Sequence, residues 1–289
     1  MPYNTLIPSL AISRTLKNSQ IIKISYTHRI QRPEYRDLNP FINASDPKNI
    51  TTGNPNLRPE IQNKIEISYN KNFGSGGNFN TTLFYRGNTD DIQSYTRYYP
   101  AYVIGDSTYI NVALSTRENI GREDNFGLNI FASVPAAKKL SIRTNISGFE
   151  RYIFTGISSV ADVHGFSYRA TLNVSFQLNR TLITELFGNF NSSRINAQGT
   201  MPSFTTYNFA FRKQIFKNAS IAATATNFLN KYVNQKTSLT GDNFALTNIR
   251  QLPYRSFGIN FTYKFGGLKF KKDKEFEDIN LTEPPGNEK

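Results

Sequence analysis

Apolar and polar residues alternate one by one along much of the chain. The alternation is clearest over residues 166–178, where seven apolar residues alternate with six polar ones, and it returns over 256–265. Successive side chains of a strand point to opposite faces, so each segment predicts a strand with one apolar and one polar face. Weaker copies bring the count to eleven strands before residue 266, the first near 5–15. No segment shows the 3.6-residue period of a helix, and the pattern predicts an all-β protein.

Short and long connections alternate between these predicted strands. The short ones fall at residues 17–19, 74–77, 135–138, 179–180 and 217–218. The long ones cover roughly 30–60, 90–107, 154–164, 193–203 and 231–252. A meander has this order when all tight turns lie at one end and all long loops at the other, as in an outer-membrane barrel with short periplasmic turns. The last strand follows a long loop and should run toward the periplasm.

The length of the apolar stripes separates a membrane barrel from a soluble β-sandwich. Sandwich strands usually have about 5–6 residues, whereas the stripes here persist for 10–13, enough for a tilted strand to cross a bilayer. The other face is rich in Asn, Ser, Thr, Gly and Arg, as a wet lumen requires. Side chains such as Phe166, Leu172, Phe257 and Phe261 should therefore face lipid. We predict a transmembrane antiparallel β-barrel meander; a soluble β-sandwich that binds glycan through its aromatic residues is the alternative from another class.

Composition excludes several other classes. The chain has 34 Lys+Arg against 21 Asp+Glu, a net charge of +13, no Cys and two His. No apolar run approaches the roughly 18 residues of a membrane helix, and the absence of Cys rules out disulfides and thiolate metal sites. The basic residues are spread along the chain without a nucleic-acid-binding motif, so no nucleic-acid partner is predicted. Met1–Asn4 lacks the features of a signal peptide, which leaves a cytoplasmic chain or a piece of a longer one.

No catalytic, cofactor or metal site is predicted. His164 lies near Asp162 and several serines, but no Gly-x-Ser-x-Gly elbow accompanies them, and a polar cluster at a loop end is the simpler interpretation. His28 has no partner at metal-ligand spacing. Residues 267–289 carry five Lys and six acidic residues and are expected to form a disordered periplasmic tail after a barrel domain at 1–266.

A proline-rich signature follows the second predicted strand. It reads R-I-Q-R-P-E-Y-R-D-L-N-P at residues 29–40 and G-N-P-N-L-R-P-E at 53–60. Each proline favours extended backbone before it and removes a donor, so a rigid, turn-rich loop is expected up to Glu60. The signature positions are Arg29, Arg32, Pro33, Asp37, Leu38, Asn39, Pro40, Gly53, Asn54, Pro55, Leu57, Pro59 and Glu60.

These runs resemble the barrel of TonB-dependent outer-membrane receptors, in the variant typical of Bacteroidetes. Residues 226–230, T-N-F-L-N, are similar to the family's motif in the penultimate strand, and 261–265, F-T-Y-K-F, to its closing strand. The resemblance spans about 5–266. It implies a 22-stranded barrel filled by an N-terminal plug, with a TonB box before the plug, and active import of a scarce nutrient rather than enzymatic activity.

Eleven strands, with neither plug nor TonB box, indicate the C-terminal half of such a barrel. The implied partners are the lipid bilayer, the missing barrel half and plug, TonB through that plug, and a nutrient that the sequence does not identify. The implied location is the cell outer membrane. A non-gated barrel or a surface-binding protein is the alternative.

The polar face carries the candidate lumen-lining residues. These are Arg143, Arg169, Asn173 and Lys264, with Glu185 as a possible counter-charge. They could hydrogen-bond the plug and the water column, or they could form a path that favours anions.

Overall fold

The computed structural model describes residues 5–74, 76–157 and 160–266, and these residues form 18 strands and one helical turn. The strands are β1 (Ser9–Leu16), β2 (Gln20–Gln31), β3 (Asn49–Thr51), β4 (Glu60–Asn72), β5 (Asn78–Thr89), β6 (Ile92–Ile104), β7 (Ser107–Asn119), β8 (Arg122–Ala137), β9 (Leu140–Phe154), β10 (Val163–Asn179), β11 (Leu182–Asn191), β12 (Arg194–Asn196), β13 (Gly199–Met201), β14 (Phe204–Phe216), β15 (Ala219–Thr226), β16 (Tyr232–Gly241), β17 (Phe244–Pro253) and β18 (Ser256–Tyr263). The helical turn α1 (Tyr35–Leu38) lies in the loop after β2.

Eleven strands form the main sheet, in the order β1-β2-β4-β5-β8-β9-β10-β11-β14-β15-β18. Every neighbouring pair is antiparallel. The predicted number of strands and the predicted meander are confirmed. β1 and β18 lie at the two ends of this order, so the sheet has two edges among the described residues.

The two faces of the main sheet differ as the alternation predicts. Residues that face each other across antiparallel strands share a face, and Thr171 lies opposite Asn145 and Asn189. The side chains of the apolar face point away from the rest of the protein: Phe166, Phe257 and Phe261 are 63%, 71% and 66% exposed. Leu172 lies in that register, opposite Thr144 and Gly188.

The short connections are tight turns. The turn between β1 and β2 has positive φ at Asn18 and Ser19, 59° and 55°. At the β4–β5 turn, the amide of Gly76, with φ 87°, donates to the carbonyl of Phe73 at 2.9 Å. Ser75, another predicted member of that turn, lies outside the described residues, as does the predicted tail 267–289.

The long connections differ from the expectation of plain loops. β6 and β7 pair as an antiparallel hairpin, and β3 pairs with β7 in parallel. A separate four-stranded sheet contains β12, β13, β16 and β17. The predicted loop 90–107 was too short, because the whole segment 90–121 leaves the main sheet and returns at β8. Its alternation is masked by polar residues and tyrosines on both faces. We call these seven strands, together with the described residues 155–157 and 160–162, the cap.

The buried core lies in the cap and where the cap meets β9 of the main sheet. Ile120 and Ile153 are fully buried, and they cluster with Tyr95 and Ala197. A buried glutamine joins the two cap sheets: the Thr96 amide donates to Gln198 Oε1 at 2.7 Å, and Gln198 Nε2 donates to the Thr96 carbonyl at 2.8 Å. The cap thus has its own interior at the long-loop end of the barrel.

Candidate functional site

The polar face of the main sheet borders a large cavity beside the cap. Its volume is about 810 Å³, and it takes residues from six consecutive strands, β4, β5, β8, β9, β10 and β11. Four basic side chains lie around it: Lys64, Arg86, Arg169 and Arg194. No carboxylate is among the residues that define this cavity in the described part of the chain. Lys64 pairs with Glu66 at 2.7 Å and Arg86 with Glu123 at 3.3 Å. Arg169 and Arg194 are the two cations through which the cavity would favour anionic groups over cationic ones.

Two phenylalanines add an apolar side to this basic cavity. The rings of Phe84 and Phe149 lie 6.5 Å apart, and Lys64 Nζ is 5.9 Å from the Phe84 centroid. Both rings cross β8 at Gly127, where a Cβ would come within 2.6 Å of Phe84 Cζ and 2.5 Å of Phe149 Cβ. A glycine is therefore required at that point. A planar ligand that carries negative charge would fit this pairing of arginine, lysine and phenylalanine.

The predicted lumen-lining residues all fall in the polar register, but they do not form one cluster. Arg169 borders the cavity, and its Nε donates to Asn191 Oδ1 at 2.9 Å. Arg143 and Asn173 face each other across β9 and β10. Lys264 borders a separate cavity of about 610 Å³ near the short turns. That these residues line a water-filled lumen remains a prediction.

Glu185, the predicted counter-charge, lies beside a basic residue other than the predicted lumen-lining ones. Its carboxylate pairs with Arg212 at 3.1 Å, a residue that the sequence analysis did not single out. The reason is geometric, because Glu185 and Arg212 lie on adjacent strands two register positions apart, whereas Arg143 lies on β9, two strands away.

Above the large cavity, charged side chains are buried against the cap. Glu123 and Arg151 form an ion pair with side chains 5% and 7% exposed, and Arg86 reaches the same carboxylate at 3.3 Å. Arg151 also donates to the carbonyl of Ile195. The Nε groups of Arg86 and Arg151 are buried without a hydrogen-bond partner among the described residues. Such donors attract an acceptor, from water or from a ligand.

Asp91 and Arg194, which lie outside the strands of the main sheet, have shifted pKa values. Burial raises the pKa of Asp91, and the nearby negative charge of Glu123 raises it further. Burial lowers the pKa of Arg194, and the positive charge of Arg151 acts in the same direction. Both residues border a cavity of about 290 Å³ that also contains Arg117 and Glu60.

The signature loop is fastened to the cap hairpin. The amides of Gly53 and Asn54 donate to the carbonyls of Asn39 and Asp37 at 3.0 and 2.6 Å, and a Cβ at Gly53 would lie 2.3 Å from the Asn39 oxygen. Asn54 Nδ2 donates to the Arg117 carbonyl at 3.0 Å.

The rest of the signature surrounds these contacts. The Arg117 side chain pairs with Asp37 at 3.4 Å, Glu60 accepts a bond from the Ile92 amide at 2.7 Å, and Leu57 is buried. Pro33, Leu38 and Pro59 are half-buried, whereas Arg29, Arg32, Pro40 and Pro55 are exposed. We infer that the signature holds β2 and β4 in place under the cap, rather than contributing reactive groups.

The two histidines have ordinary partners. His164 stacks on Tyr152 with ring centroids 5.5 Å apart and contacts Glu150 at 3.3 Å, while Asp162 accepts a bond from the Thr155 amide. His28 contacts Asn63 at 2.8 Å. Across residues 5–74, 76–157 and 160–266, no group of three or more His, Cys, Asp or Glu could hold a metal ion. In the same residues, no helix is both long and apolar enough to cross a membrane.

A fold of this kind defines an outer-membrane class of protein. The model of the Outer membrane protein beta-barrel family matches residues 2–263, and the chain belongs to this family. Its location is accordingly the outer membrane. No match was found among curated protein sequences.

Several solved receptors share the fold. The siderophore receptor PirA from Pseudomonas aeruginosa is 16% identical, with 90% of this chain and 42% of that chain covered and a TM-score of 0.60. The ferric enterobactin receptor PfeA from the same organism is 17% identical, with 90% and 40% covered and a TM-score of 0.56. The copper transporter OprC is 12% identical, with 89% and 39% covered and a TM-score of 0.60. The chain spans about 40% of their length, and at these identities the likeness shows the fold alone.

Proposed function

We propose that the chain is the C-terminal barrel portion of a TonB-dependent receptor that imports a scarce nutrient across the outer membrane. The observation that supports this most is the eleven-stranded antiparallel sheet with two open edges, which overlays on about 40% of receptor chains. An open edge in lipid leaves N–H and C=O groups unsatisfied, so further strands must pair with β1 and β18. A plug supplied outside this segment would occupy the polar face and communicate with TonB.

Refolding the 289-residue chain in detergent tests the half-barrel. We expect aggregates or dimers, since the two edges of the sheet seek partners, and no stable conductance in planar bilayers. Heat-modifiable gel mobility and single-channel recording report these outcomes. A monodisperse monomer with a steady open pore would favour the alternative, a small non-gated barrel.

The cavity beside the cap supports the further proposal that the imported nutrient carries negative charge. It combines Arg169 and Arg194 with the Phe84–Phe149 pair, and the buried Nε groups of Arg86 and Arg151 have no hydrogen-bond partner in the described part of the chain. Uptake of labelled anionic and neutral metal chelates by cells that express the whole receptor would test this. Arg169→Gln with Arg194→Gln should reduce uptake of the anionic chelates selectively. Lys236→Gln with Arg250→Gln, which removes two charges at exposed positions of β16 and β17, is the matched control. Equal losses for anionic and neutral chelates would contradict the assignment.

A further inference from the structure

Positive charge is concentrated at the short-turn end of the main sheet. The segments 14–22, 69–80, 134–142, 176–184, 211–221 and 262–266 contain ten Lys and Arg and no Asp or Glu. The ten are Arg14, Lys17, Lys71, Lys138, Lys139, Arg180, Arg212, Lys213, Lys217 and Lys264. Apart from Glu66 and Glu185, every acidic residue of 5–266 lies at the other end, among the long connections. The barrel portion is therefore electrically polarised along its strands.

Most of these basic side chains are accessible to a binding partner. All ten side chains except Lys71 belong to exposed residues, and Lys71 is half-buried. Arg212 pairs with Glu185, and Lys139 Nζ donates to the Leu178 carbonyl at 3.1 Å. Within the described residues, no carboxylate lies at this end to neutralise the others. Like charges at one end of the sheet repel one another, and anions from outside the chain relieve this repulsion.

Several of these residues continue the lipid-facing register. Arg14, Lys71 and Lys213 are paired with Ile22, Phe79 and Ile221, whose side chains belong to the apolar face. Long basic side chains at the end of an apolar face extend their charges to the membrane surface while their stems stay in contact with lipid.

Exposed aromatic rings accompany the basic residues. Phe216 and Phe265 are 67% and 86% exposed, each next to a lysine in sequence, and Lys71 Nζ lies 5.1 Å from the Phe73 ring centroid. Aromatic rings with Lys and Arg mark the depth of lipid headgroups in membrane proteins. The short turns, and with them the charges, therefore lie at headgroup depth on one side of the membrane.

We propose that the exposed basic residues at the short-turn end, which we call the basic rim, bind the headgroups of anionic phospholipids in the leaflet on that side. Four of the ten residues border an inner cavity near the short turns, and the other six are distributed over four segments of the sheet. This spread suits a planar charged surface better than a single small ligand. The contact would fix the depth and tilt of the barrel in the membrane. This inference goes beyond the proposed transport function, since it applies equally to a gated receptor and to a non-gated barrel.

Two variants of equal charge separate a specific rim from a general effect of net charge. The rim variant combines Lys17→Gln, Lys71→Gln, Lys138→Gln and Lys213→Gln, none of which borders the inner cavity of Arg180, Arg212, Lys217 and Lys264. The control variant combines Lys48→Gln, Lys231→Gln, Lys236→Gln and Arg250→Gln, which are exposed residues of the long connections. Each set removes four charges, and 13 minus 4 leaves +9 in both.

Binding of the full chain to vesicles of phosphatidylcholine, with and without phosphatidylglycerol, is measured by flotation at several salt concentrations. We expect the wild type to bind roughly tenfold or more tightly when the anionic lipid is present, with the gain falling as salt rises. The control variant should keep most of the gain, and the rim variant should lose most of it.

Three outcomes would overturn the proposal: no gain from phosphatidylglycerol, equal losses in the two variants, or displacement by soluble glycerol phosphate at matched ionic strength. Unfolded chains respond only to net charge, so they would give the second outcome. Competition by glycerol phosphate would indicate a discrete anion site. A steady monomeric pore in the refolding experiment would contradict the half-barrel but would leave this lipid test unaffected.

Discussion

The main sheet and the cap are made of the same kind of strand, yet they are stabilised in different ways. The main sheet exposes its apolar face, with Ile259 and Phe257 more than two-thirds exposed, and has its fully buried side chains mostly where it meets the cap. The cap buries Ile50 and Val112 completely and adds buried amide bonds, and Ile153 at the end of β9 packs against it. The sheet therefore depends on lipid to cover its surface, whereas the cap depends on its own packing. Substitutions should separate the two regions sharply.

The largest expected effect is in the charged layer between them. Arg151→Met leaves the buried carboxylate of Glu123 without its closest cation, and breaking a buried pair costs about 3–5 kcal/mol. We expect this loss in the free energy of unfolding, measured by urea titration of the lipid-folded protein. Arg122→Met, at an exposed arginine that contacts Asp124 at 2.8 Å, should cost about 1 kcal/mol or less. If the second change Glu123→Gln did not recover part of the loss, the pair would not be the cause.

The second effect concerns the lipid-facing side of the sheet. Leu172→Arg or Phe261→Arg should cost about 2–4 kcal/mol if the position lies near the bilayer midplane. Asn173→Arg, one residue from Leu172 but in the polar register, should cost far less. Folding titrations into vesicles compare the three variants. Equal costs would mean that the sheet has no lipid-facing side.

The main sheet could be predicted from sequence because successive residues of each strand face the apolar and the polar side in turn. The sequence shows this directly as one-by-one alternation. All eleven strands are confirmed, as are the apolar face and the short turns. The cap could not be predicted in the same way. In β6 the two faces meet protein and solvent unevenly, so Tyr95 and Thr96 are both buried although they are adjacent, and the period of two is lost.

The candidate site was partly accessible from sequence. Arg169 follows from the register alone, and the same count would have placed Phe84, Phe149 and Lys64 on the polar face, had they been followed across strands. The partnership of Glu185 with Arg212 depends on which strands are neighbours. The burial of Asp91 depends on the cap, which the alternation does not specify.

The third prediction tests the connection between the two cap sheets. Gln198→Ala removes both side-chain bonds to Thr96 and leaves a buried amide and carbonyl unsatisfied, at a cost of about 1–3 kcal/mol for each group before water enters. We expect faster hydrogen exchange at the Thr96 amide and unchanged exchange in β10. Gln251→Ala, at an exposed position of β17, is the control. Unchanged protection of Thr96 would show that the bridge is not needed for the cap to close.

The smallest effect is a pH dependence confined to the cap. Burial and the charge of Glu123 raise the pKa of Asp91 in the folded state above its ordinary value of 3.8. The folded state then holds its proton more tightly than the unfolded state. The stability that Asp91 contributes is present below pH 3.8 and is lost as the pH rises through the raised pKa. Asp91→Asn should remove this loss, so the variant gains cap stability relative to the wild type as the pH rises toward neutral.

The pKa of Asp46 is shifted in the opposite direction. A hydrogen bond from Asn49 lowers it, so the stability that Asp46 contributes is lost as the pH falls. Hydrogen exchange of cap amides across a pH series, corrected for the intrinsic exchange rates, should therefore show opposite slopes for Asp91→Asn and Asp46→Asn relative to the wild type. Parallel slopes would mean that the cap responds to total charge and that the burial of Asp91 has no part in it.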